Sequence, residues 1–96
     1  MKKCTWILQR AKNMLHPFPD DFEDLERCLK RRFSGRTVQF VRRYNVTPPG
    51  TIGRVTQIKT REFRMPEVIV QWEFGGKLMQ RTVQGNEAED CLKVIG

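Results

Sequence analysis

The twelve residues RVTQIKTREFRM, positions 54–65, hold Arg54, Lys59, Arg61 and Arg64, with Glu62 and Phe63 among them. A guanidinium is a planar, permanently charged fork of donors that matches a phosphate two bonds at a time and can lie flat on a base. An aromatic ring between two such groups adds stacking to phosphate attraction, the combination used on single strands and RNA. The pattern predicts a contacting edge aimed at something negative rather than a passive turn.

The rest of the charge points the same way. The chain of 96 residues has 18 Lys+Arg against 11 Asp+Glu, a formal net charge of +7 and a pI near 9.8. Residues 1–16 carry Lys2, Lys3, Arg10 and Lys12 and no acid. Asp20, Asp21, Glu23, Asp24 and Glu26 then form an acidic block. Arg27, Lys30, Arg31, Arg32, Arg36, Arg42, Arg43, Arg54, Lys59, Arg61 and Arg64 follow against Glu62 alone, and residues 65–96 are mildly acidic. The predicted nucleic-acid face is Arg31, Arg32, Arg42, Arg43, Tyr44, Arg54, Lys59, Arg61, Phe63 and Arg64, with Phe63 or Tyr44 stacking. The alternative is an adaptor that binds an acidic partner surface or peptide, with Trp6, Tyr44, Phe63 and Trp72 as candidate groove aromatics. Plain solvation competes with both. Basic residues suit a helix C-terminus, charged edge strands deter aggregation, and the acidic block can neutralise part of the basic one.

Enzyme chemistry finds little to work with. His16 is the one histidine, and no Gly-x-Ser-x-Gly, His-Glu-x-x-His or phosphate-cradling glycine loop is present. Cys4, Cys28 and Cys91 are odd in number, far apart and without a Cys-x-x-Cys pair, so they read as small buried hydrophobes in a reducing, cytoplasmic setting. The acids of 20–26 fit a helix's first turns, where the dipole already accounts for them. The expectation is a binding protein without catalysis, cofactor or metal. No stretch approaches the ~20 apolar residues that span a bilayer. The start, MKKCTWILQRAKNML, is a poor secretory signal because Gln9 and Arg10 interrupt its apolar run. It is amphipathic and lacks acids, as a mitochondrial presequence would, yet its stripe fits ordinary packing equally well.

These groups must be held by something. Cys4, Ile7, Leu8, Ala11, Met14 and Leu15 recur at helical spacing over residues 3–15, and HPFP ends that helix. A second helix is predicted over 20–33, with Asp20 capping, Glu23 as its box partner, and Phe22, Leu25, Leu29 and Phe33 on its buried face. Gly35 is its stop. Strands follow: TVQFVRRY, then TIGRVTQIK beyond the NVTPPG loop, then EVIVQWEF and KLMQRTV across a Gly75-Gly76 turn, and last CLKVI. QGNEAED carries a short helical turn. Gly53 suggests a bulge or a close backbone approach.

The run GRTVQFVRRYNVTPPGTIGRVTQI, with Gly50-Thr51-Ile52-Gly53-Arg54-Val55-Thr56-Gln57-Ile58 at its end, resembles the opening of SH3-like barrels of the KOW and Tudor kind. The VIVQWEFGGKLMQRTV hairpin and closing EDCLKVI are in keeping with it. The resemblance covers residues 36–96 and implies a fold, carrying over no functional residue. The expected fold class is therefore α+β, two N-terminal helices packed on a five-stranded SH3-like β-barrel, divided as residues 1–35 and 36–96. The chain is expected to be a monomer, or a homodimer through the first helix.

Overall fold

The computed structural model describes residues 19–60 and 65–96. Helix α1, Pro19–Phe33, opens on a proline, which suits the first helical position because its missing N–H has no intrahelical partner there. Asp20, the expected cap, is the second residue of the helix. Leu25, Cys28, Leu29 and Phe33 recur three or four apart and are buried, which turns one stripe of the helix into core. Lys30, Arg31 and Arg32 fill the last turn, where positive charge suits the helix dipole. Gly35 then takes a left-handed φ of 70°, and its N–H donates to the Val55 carbonyl at 3.2 Å, tying the helix end to the sheet.

Five antiparallel strands follow in the spatial order β4-β3-β2-β1-β5. They are β1 Thr37–Phe40, β2 Ile52–Lys59, β3 Glu67–Phe74, β4 Lys77–Gln84 and β5 Leu92–Val94, with helix α2, Gly85–Cys91, between the last two. Alternation sends Val38, Phe40, Val55, Ile58, Val68, Val70 and Val83 to the inner face, where they meet Leu25, Leu29 and Phe33 of α1. Each fully buried Leu or Phe there contributes about 1.5–3 kcal/mol. Thr37, Gln39, Arg54, Gln57, Lys59, Glu67 and Gln71 take the outer face by the same register. Among the described residues no helix is long and apolar enough to cross a membrane.

The expected barrel is corrected by this topology. β4 and β5 do not pair, so the sheet is open, and one of the two described helices comes late, between β4 and β5. The physical reason is the connection itself. α2 links those two strands directly, so the path from one sheet edge to the other runs through a helix and not through a pairing of β4 with β5. The expected helix over 3–15, and any dimer built on it, lie outside the described residues.

Two local expectations are also refined. Gly53 marks a close approach: a Cβ there would lie 2.7 Å from the Gln71 carbonyl oxygen and 2.8 Å from Val70 Cγ1, so no side chain fits without moving the sheet. The β2 register shift instead falls between Val55 and Gln57, at Thr56. The TVQFVRRY strand ends early, at Phe40. The Phe40 N–H donates to Thr51 O at 2.9 Å and its carbonyl accepts from Gly50 N–H at 2.7 Å, which closes residues 41–50 into a loop.

Candidate nucleic-acid interface

The candidate cations fall into two electrostatic populations. On α1, Lys30 Nζ meets Glu26 Oε1 at 2.8 Å and Arg27 lies 3.6 Å from Asp24, both pairs within one helical turn. Arg32 reaches across to α2, its Nη1 2.8 Å from Glu89 Oε2, a contact of charge with charge whose geometry falls short of a hydrogen bond. Arg31 is exposed on the same last turn. The helix thus uses its cations largely on its own and its neighbour's carboxylates. This is the internal pairing that the acidic block made possible.

The sheet and its first loop behave differently. Arg36, Arg42, Arg43, Arg54 and Lys59 are exposed and form no ion pair among the described residues. Arg54 projects from the outer face of β2, across from Thr37 and Gln71, and Lys59 ends the strand across from Glu67. Lys93 of β5 joins them, since Lys93 lies opposite Gln39 and Gln39 opposite Ile52. Strand spacing and rise put the Cα atoms of Lys93 and Arg54 about 12 Å apart, and those of Arg54 and Lys59 about 15 Å apart. Arg42 and Arg43 sit just past the end of β1, where the Val41 N–H donates to the Cys91 carbonyl at 2.8 Å. The outer face between these cations is mixed: Gln39, Gln57, Gln71, Gln80 and Thr82 are interspersed with exposed Ile52 and Leu78 and buried Ile69. In it Gln71 Nε2 donates to Gln80 Oε1 at 2.9 Å.

Lys93 was absent from the sequence reading because it sits in the mildly acidic C-terminal stretch. Only the β1–β5 pairing moves it beside the central block, and no local pattern announces that pairing. Arg61, Phe63 and Arg64 lie outside the described residues.

Tyr44 is placed by its hydroxyl. It donates to Glu87 Oε2 at 2.9 Å and accepts from the Gln84 N–H at 3.1 Å, and its ring packs on the core. Around it the chain turns tightly. Tyr44 and Thr47 exchange backbone hydrogen bonds at 3.0 and 2.9 Å, with Asn45 left-handed at φ 53°. Buried Thr47 accepts at Oγ1 from Arg81 Nε, 2.9 Å away. Tyr44 therefore anchors the loop that carries Arg42 and Arg43 and does not offer a free ring to a base. Burial pushes its hydroxyl above the ordinary phenol value; the Gln84 N–H works against this, and the Glu87 carboxylate adds to it. A raised folded value means the neutral phenol contributes stability that is complete below about pH 10 and lost as pH rises through the folded value. Tyr44→Phe is expected to cost about 1–2 kcal/mol in urea unfolding, because the Gln84 N–H loses its acceptor. The variant should also lack the part of the alkaline destabilisation above pH 10 that Tyr44 causes; an unchanged midpoint and pH profile would remove the anchor.

Among the described residues, no group of three or more His, Cys, Asp and Glu converges as a metal site. Cys28 and Cys91 are buried thiols. No family model, curated protein or solved structure matches the chain. Function has to be read from the residues themselves.

Proposed function

We propose that this chain is a small basic binding module for nucleic acid, held through phosphates by Arg42, Arg43, Arg54 and Lys59, with Lys93 extending the surface. Arg61 and Arg64 belong to the same proposal by sequence. The observation that supports it is the division of the charge. Acids take up the helix cations, while those of the loop and outer sheet face form no ion pair among the described residues. An unneutralised cation is one that can displace counterions from a phosphate chain, and the glutamines on the face between such cations can hydrogen-bond a wet partner. The module binds without catalysis, in a reducing cytoplasmic compartment that suits its buried thiols.

Fluorescence anisotropy of labelled RNA and DNA, single- and double-stranded, over a salt series tests this. The expected result is binding whose log affinity falls linearly with log salt, with a slope of about −3 to −4 for four phosphate contacts. Retention on heparin without binding to any of the four probes at low salt would replace nucleic acid with an acidic protein partner.

A further inference from the structure

Phe74 has an exposure that the fold does not explain. Among the described residues, Phe33 and Phe40 are buried, Tyr44 is pinned by its hydroxyl, and Trp72 packs edge-on against Phe40 with ring centroids 6.0 Å apart. Phe74 alone of the described aromatics keeps most of its ring in water, at 73% exposure. It sits at the end of β3, directly before the Gly75-Gly76 turn, whose φ values of 60° and 80° make it the tight kind that matches strand twist. Strict alternation places Phe74 on the same face as Trp72, beyond the point where core covers it. On β4, Lys77 lies directly opposite, and Met79 and Arg81 follow on that face. The hairpin tip is therefore an exposed ring with a cation across from it and a second cation further down the strand.

We propose that this tip is a base-stacking platform, which makes the ligand of the module single-stranded nucleic acid. The proposal rests on the nucleic-acid reading above and adds the strand class and the stacking residue. Charge complementarity selects the occupant: Lys77 lies directly across from the ring, while Glu73 points to the other face. An unpaired base can swing out and lie on such a ring with its phosphate near Lys77, whereas a duplex keeps its bases inside the stack. A second copy added along β4 fits less well. β4 is an edge strand, but it begins on Lys77 and turns Arg81 inward, two features that discourage strand addition.

The test compares Phe74→Leu and Phe74→Tyr with the native chain, using a short labelled oligo(U), an oligo(dT) and a duplex of equal length. The residue is exposed, so both variants should unfold at the native urea midpoint. Phe74→Leu keeps apolar bulk but loses the ring, and is expected to bind both single strands about tenfold more weakly, inside the ~5- to 150-fold range for one stacked base. Its duplex affinity should stay the same, and Phe74→Tyr should bind like the native chain. Native-like strand binding by Phe74→Leu, or an equal loss on strand and duplex, overturns the platform. So does a native dimer that Phe74→Leu dissociates, which would assign the tip to self-association. In each of these cases cation variants still weaken binding if the broader reading holds. Failure of the native chain to bind strand or duplex at low salt removes both.

Discussion

Phe40→Ala is expected to remove about 3–5 kcal/mol, the range for truncating a buried phenylalanine. A domain of this size has on the order of 5–15 kcal/mol in all, so the loss is a large share of its stability. Phe40 is fully buried at the last position of β1, where three supports meet. Its ring meets Trp72 edge to face at an interplanar angle of 69°, an arrangement that adds about 0.5–1.5 kcal/mol beyond area burial. Its neighbour across β5 is Leu92. Its backbone carbonyl and N–H hold Gly50 and Thr51, the far end of the loop that carries Arg42 and Arg43. The cavity left by alanine therefore opens between the sheet and that loop. Urea unfolding followed by circular dichroism should show a much lower midpoint with an unchanged m-value. A midpoint near the native one would mean that the ring is not part of the core as placed. A milder change, Phe40→Leu, should stay folded and show whether ligand binding weakens when the loop's base is loosened.

How far the sequence foretold this arrangement depends on the range over which each feature is decided. β3 was legible as a strand over Glu67–Phe74 whose register with β4 never slips, and Val68, Val70 and Trp72 share a face as expected. Ile69 on the other face is buried, however, and Phe74, which the alternation assigns to the core side, is exposed. The Gly-Gly turn and the helix ending at Phe33 were legible too, because turn chemistry and helical spacing act within a few residues. β1 was not. Val41, Arg42, Arg43 and Tyr44 look like more strand, yet the Phe40 N–H and carbonyl are claimed by Thr51 and Gly50, and the strand ends there. The closed barrel failed for the same kind of reason. The short helical stretch after β4 was visible, but whether a helix bridges two edges or lets them pair is decided by packing between distant residues. The candidate site divides along that line. Residue types gave the excess of arginine, but sorting Arg32 from Arg54 needed the contact with Glu89, 57 positions away in the chain. Tyr44 had the same signature as an available stacking ring until Glu87 and Gln84 were seen to hold its hydroxyl.

Removing four positive charges should separate binding from folding more sharply than any other change. The variant with Arg42, Arg43, Arg54 and Lys59 all replaced by alanine is expected to unfold near the native midpoint. Each of these side chains is exposed and forms no ion pair among the described residues, and surface substitutions of that kind stay within about 0.5 kcal/mol each. Its affinity for a single strand at 0.1 M salt should drop by about 10²- to 10³-fold, because each phosphate contact contributes about a factor of five there through counterion release. The slope of log affinity against log salt should flatten by about 3 units. The control is the opposite group, Arg27 and Lys30 replaced by alanine. Those cations already face Asp24 and Glu26, so their loss should leave the slope nearly unchanged. Net positive charge alone would predict a different outcome, with each cation counting the same wherever it sits. Equal losses per charge in the two variants would therefore sink the idea of a defined face and leave only a diffuse attraction, whereas a loss confined to the loop-and-sheet set is what a surface organised by β1, β2 and the Tyr44 anchor requires.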